Sequence, residues 1–274
     1  MRKVLIAFDG VHYSEGAFEW AKALNEREKI LLAGVFLPQV SYANLWSYAD
    51  GAGAPLFVPV LDDEETELIE ENVARFEQAC QRNDIEFRVR TDFEDLALPE
   101  LKKESRFADL MIIGENKYYE DREEGELNRH LKESLHTLEC PVVIVPESFQ
   151  FPKVNILAYD GTESSVYAIK QFVYLLPELT SLPTMLTFAT TDEHEKIPYE
   201  AYVEELVARH FPDLTISKLD LDARRLYTTW VKDEKSGILV SGAFGRSFMS
   251  RMFRKSFVTE VLEERLMPVF IAHK

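Results

Sequence analysis

The 274-residue chain is 46% hydrophobic, carries a formal charge of -17 and has two cysteines, Cys80 and Cys140. That apolar content fills real cores and excludes a disordered chain, while so acidic a balance excludes a general nucleic-acid binder, whose phosphate partner demands a basic face. Two thiols exclude a disulfide framework and point to a reducing cytoplasm, and no apolar run reaches the roughly 18 to 20 residues of a membrane span.

The chain opens on an apolar run at 3–8 that ends in Asp9-Gly10. Its core of about five residues is too short for a signal peptide and predicts a buried strand. Ser14 then precedes an amphipathic stretch, "SEGAFEWAKAL", as an ordinary helix N-cap. A second strand is expected at 30–36. Residues 38–62 read as a long loop bearing Tyr42, Trp46, Tyr48 and Phe57. Such a loop serves as a partner surface or lid, or simply packs on the rest of the chain. A helical pattern, "DEETELIEENVARFEQACQRN", follows, then strands at 85–90, 109–114 and, after Pro141, 142–146.

After the turn-rich linker "PESFQFPK" the pattern begins again. "NILAYDG" at 155–161 repeats "VLIAFDG" at 4–10, and Thr162 or Ser164 precedes the next helix. Strands are expected at 154–159, 183–189, 214–219, 237–241 and 268–272, with "YEAYVEELVARHF" helical between the second and third. "SGILVSGAF" parallels "ADLMIIGEN", and "MPVFIAH" parallels "CPVVIVP". The chain therefore reads as two copies of one α/β unit, about 1–147 and 152–274. Apolar strands alternating with helices predict, in each copy, a five-stranded parallel sheet covered by helices on both faces. Ligands of such sheets bind beyond the carboxyl ends of the strands, where strand order reverses.

At that edge of the second copy lies "SGAFGRSFMSRMFRKSF", 241–257, with Arg246, Arg251, Arg254 and Lys255 and no acid. Gly242 and Gly245 let backbone amides approach an anion. Ser256 stands where the last helix begins, and the free N–H groups of a first turn hold phosphate well. The same residues also have a purely structural reading. Gly242 ends a strand, Ser256 caps a helix, and the basic side chains pair with surface acids. In the first copy Arg129 answers to Ser256, Asn128 to Lys255 and Lys117 to Gly245, and the intervening "YYEDREEGEL" is acidic. The charge asymmetry favours an anion site in the second copy alone.

Taken together, "ILAYDGTESS", the Gly-x2-Gly-x9-x-Ser spacing before the last helix, and a closing Pro-led strand resemble the universal stress protein family, here in tandem. The resemblance implies an adenine nucleotide alpha hydrolase-like, Rossmann-like fold and a regulatory role in stress response. It also implies ATP or a related nucleotide, with magnesium as a companion ion. Carried over, Asp160 faces the adenine or ribose, with Gly161 beside it. Gly242 and Gly245 wrap the phosphates, Arg246 and Lys255 add positive charge, Ser256 bonds a phosphate oxygen and Phe257 offers its amide. Lys255 stands where the family has its third glycine. The resemblance further implies a pseudo-dimer of the two halves, a possible homodimer and an unidentified regulatory partner. Two alternatives stay open: an interaction module of the same fold that binds no nucleotide, and a slow ATP hydrolase. None of the six histidines falls in a known metal-ligand spacing; His12 alone lies near the Asp9-Gly10 edge.

Overall fold

The computed structural model describes residues 1–37, 45–48, 56–59, 63–91, 97–115, 129–190, 194–220, 236–242, 261 and 267–272. These fall into two compact units, one up to Glu139 and one from Cys140 onward.

The first unit is built on β1 (Arg2–Phe8), β2 (Ile30–Phe36), β5 (Glu86–Arg90) and β6 (Leu110–Gly114), in the order β6-β1-β2-β5 with parallel pairing throughout. Val4 sits opposite Leu32 on one side and Leu110 on the other. Because β1 and β6 are almost wholly buried, they carry continuous apolar runs rather than an alternation. Helix α1 (Glu15–Arg27) starts where the Ser14 hydroxyl accepts the Ala17 N–H at 3.2 Å. It packs on β1, β2 and β6. Helix α2 (Asp63–Arg82) packs on β2 and β5, while α3 (Ala97–Arg106) and α4 (Arg129–Thr137) pack on each other.

The buried ring of Phe76, on α2, organises this core. It meets Phe8, Phe18, Phe36 and Phe87 edge-on, with centroids 5.9–6.2 Å apart. Gly34 on β2 leaves the space for that ring. The segment 38–62 departs from its reading as a plain loop. It contains a two-stranded antiparallel sheet, β3 (Leu45–Tyr48) and β4 (Leu56–Pro59), with Trp46 opposite Val58. Tyr42 lies outside the described residues.

The second unit has the strand order β10-β9-β8-β11-β12-β7. Here β8 is Val154–Tyr159, β9 Thr184–Thr190, β10 Leu214–Asp220, β11 Gly237–Ser241 and β12 Val269–Ile271, all mutually parallel. Helix α5 (Glu163–Leu175) packs on β8, β11 and β12, and α6 (Glu200–Ala208) buries Val203 and Val207. Phe172 of α5 meets Phe211 and Phe270 in the core. Strand β7 (Val142–Val145) runs antiparallel to β12, with Ile144 opposite Val269. Sequence periodicity assigns β7 to the first copy, and the strand pairs with β12 of the second.

Candidate functional site

In the second unit β8 lies between β9 and β11. The chain leaves β8 toward β9 and β10, then returns to β11 on β8's other side. The carboxyl ends of β8 and β11 therefore flank a reversal of strand order, where open α/β sheets bind ligands. Asp160 and Gly161 follow β8, and Gly242 follows β11, so three sequence-predicted residues meet at this edge. In the first unit the equivalent edge holds Asp9, Gly10 and Gly114, between β1 and β6.

The two edges differ in what the aspartate does. Asp9 is 3% exposed and its carboxylate is taken by His12, through the backbone N–H at 2.8 Å and ring Nδ1 at 2.7 Å. Asn72 of α2 donates to the carbonyls of Gly10 and Val11, both at 2.9 Å, tying the turn down. Asp160 is partly exposed; its Oδ1 accepts the Thr162 N–H at 2.9 Å and hydroxyl at 2.6 Å. Three residues, Val11-His12-Tyr13, separate Gly10 from the cap of α1, whereas Thr162 caps α5 directly after Gly161; the longer turn supplies the His12 that occupies Asp9. Both Asp-Gly turns need their glycine, since φ is 94° at Gly10 and 79° at Gly161.

Gly242 and Gly114 are set by close approach. A Cβ on Gly242 would overlap the backbone of Ser164 and Ser165, in the first turn of α5. One on Gly114 would overlap the Cβ and hydroxyl of Ser14, the N-cap of α1. The fourth strand of each repeat thus presses a glycine against the start of the first helix. Gly242 has this packing duty whatever the edge binds.

No family model matches the chain. A universal stress protein of Synechocystis sp. is 22% identical to it over 287 residues, covering 98% of this chain and 99% of that one. A universal stress protein structure from Archaeoglobus fulgidus superposes with a TM-score of 0.69 at 14% identity, covering 100% of this chain and 96% of that one. A Pseudomonas aeruginosa protein proposed to be a universal stress protein gives 0.57 at 10%, covering 100% and 93%. The chain resembles the universal stress proteins along its whole length. The α/β, mostly parallel architecture expected from that likeness is the one observed.

Of the residues that the universal stress protein pattern carries over, Gly245, Arg246, Lys255, Ser256 and Phe257 lie outside the described residues, as does Lys117. Arg129, their first-copy counterpart to Ser256, opens α4.

A feature the sequence reading passed over lies beside Asp160. Helices α5 and α6 enclose an open groove of about 890 Å³, lined by Tyr159, Glu163, Tyr167, Lys170, Tyr199 and Tyr202 among others. Tyr199 and Tyr202 are 70% and 76% exposed. Tyr199 has φ 51°, in the left-handed region, at the start of α6. A tyrosine held there costs roughly 1–2 kcal/mol. The Tyr159 hydroxyl donates to the Pro198 carbonyl at 2.8 Å. Burial, then the charge of Asp160, then Tyr199, push that phenol's pKa up, so it stays a neutral donor.

Proposed function

We propose that the chain is a regulatory, stress-response module that binds ATP or a related nucleotide in its second domain, 152–274. The first domain, 1–147, is the non-binding partner of a fused pseudo-dimer. Asp160 meets the nucleoside end. Gly242, Gly245, Arg246, Lys255, Ser256 and Phe257 serve the phosphates, and the setting is the cytoplasm. One observation carries the asymmetry: Asp160 is accessible at its edge, whereas Asp9 is buried and bonded to His12. The basic 241–257 segment against the acidic 118–127 supports the same assignment from charge. Among the described residues no group of three or more His, Cys, Asp or Glu is placed to hold a metal ion, so magnesium is assigned to no side chain there. Also among the described residues, no helix is long and apolar enough to cross a membrane.

The test is native mass spectrometry of the full chain, followed by ATP titration of the parent, Asp160→Ala and Asp9→Ala. Bound nucleotide in the parent, weakened about ten-fold or more by Asp160→Ala and unaltered by Asp9→Ala, is expected; that loss corresponds to a hydrogen bond to a charged group. Loss confined to Asp9→Ala would overturn the assignment.

A further inference from the structure

The groove between α5 and α6 has a counterpart in the first unit, a half-exposed ion pair beside a tyrosine. There, Glu15, the first residue of α1, pairs with Arg75 of α2. The Arg75 guanidinium also lies over the Tyr13 ring, 4.3 Å from its centroid. A carboxylate at the first helical position and a tyrosine ring thus hold a guanidinium supplied by the chain itself.

In the second unit a carboxylate also opens the first helix, about a turn earlier, since Gly242 meets Ser164 and Ser165 where Gly114 meets Ser14. Glu163 is the first residue of α5, as Glu15 is of α1. The second helix changes instead. α2 spans 20 residues, but α6 spans 9, reads "EAYVEELVA" and carries no arginine or lysine. Where α2 brings Arg75, α6 and its approach bring Tyr199 and Tyr202. Tyr159 and Tyr167 complete the lining, and the strained backbone at Tyr199 is the kind of local strain that accompanies ligand sites.

We propose that the α5–α6 groove is a binding site for a small organic cation, a guanidinium or alkylammonium compound, seated between Glu163 and the Tyr159, Tyr167, Tyr199 and Tyr202 rings. Tyrosine faces attract such cations, the exposed Tyr199 and Tyr202 rings more weakly than the buried Tyr159. On α6, Glu200 and Glu204 add negative charge, while Glu205 is paired with Arg209 at 3.8 Å. Lys170 also lines the groove, but it lies seven residues along α5 from Glu163, roughly 10 Å at 1.5 Å per residue, leaving the Glu163 end for the cation. A volume of about 890 Å³ accommodates a whole small molecule. The groove adjoins the proposed nucleotide edge, since Gly161 lines it too, but the cation is held by Glu163 and the tyrosines.

Agmatine is the probe, with the uncharged butylurea as its control, titrated into the full chain and followed by calorimetry and tyrosine fluorescence. Saturable agmatine binding is expected, with butylurea at least five-fold weaker. Glu163→Gln should weaken agmatine roughly five-fold and Tyr202→Ala roughly three- to five-fold. Tyr199→Gly should also weaken it, while the thermal midpoint holds or rises because glycine relieves the left-handed strain. Equal affinity for agmatine and butylurea would overturn the site, as would agmatine binding indifferent to Glu163→Gln or no saturation by about 20 mM. Phenylacetate binding tighter than agmatine and lost in Lys170→Ala would overturn it too, making the groove an anion site.

Discussion

Substituting alanine at Gly114 and Gly242 separates two kinds of close packing. At Gly114 the added Cβ would overlap the Cβ and hydroxyl of Ser14, and its next neighbour, the Ala17 Cβ, is at an ordinary 3.6 Å. At Gly242 it would overlap main-chain atoms of Ser164 and Ser165. Neither overlap is relieved by a side-chain rotation, so a helix must shift. Overpacking of this kind costs typically about 1–3 kcal/mol, occasionally more, and both overlaps are severe enough to place each near 3 kcal/mol. For a chain of this size that lowers the thermal midpoint by roughly 6–12 °C. The two cases part on rescue. Ser14→Gly removes both obstructing atoms near Gly114 and, at an N-cap, costs only a few tenths of a kcal/mol. The double variant Ser14→Gly with Gly114→Ala should therefore melt within about 2 °C of Ser14→Gly alone, a coupling of about 2–3 kcal/mol. No side-chain deletion should rescue Gly242→Ala. Calorimetric or far-ultraviolet melts of the four variants decide it. Additive losses at Ser14 and Gly114, or a Gly242→Ala protein as stable as the parent, would refute the reasoning.

Phe76→Ala should cost about 3–5 kcal/mol in urea unfolding, since it empties the centre of a five-ring cluster. Burial, then the charge of Glu77, push the Cys80 thiol up to about 12. In the native protein it should resist a thiol reagent at pH 8 and react once urea is added. The same shift keeps the thiol neutral in the folded state while the unfolded one ionises. Its stabilisation is thus complete below about pH 9, the ordinary value, and is lost as pH rises toward 12, which alkaline melts of parent and Cys80→Ala compare. Lys255→Gly should weaken ATP binding, and the loss should shrink at high salt as the charge is screened; binding gained by that variant would favour the interaction module that holds no nucleotide.

Most of the fold was legible. The ten strands read from apolar runs are all present, and none of their ends moves by more than one residue. Such runs are long-range neighbours' business only in their pairing, and pairing is where the reading fell short. Nothing in "CPVVIVP" says that β7 will lie antiparallel to β12, because a strand's partner is fixed by surfaces, not by its own pattern. The β3–β4 sheet was hidden because "ADGAGAP" between its strands reads as loop chemistry. At the site, Asp160, Gly161 and Gly242 were found because repetition exposed them. His12 was noticed as a neighbour of Asp9, but its capture of the carboxylate needed geometry, although the Asp-x-x-His spacing of a side-chain-capped turn was there to be read. The tyrosine groove was invisible because it depends on how short α6 is, which no single residue records.

The placement of β7 bears on how the gene can be cut. A designer guided by the repeat would separate the halves inside "PESFQFPK", after β7 has been made. The second piece would then begin without the strand that covers β12, and an uncovered three-residue strand offers its backbone to any other chain. The linker that marks the duplication in the sequence is thus not a place where the second sheet can be freed with every strand still paired.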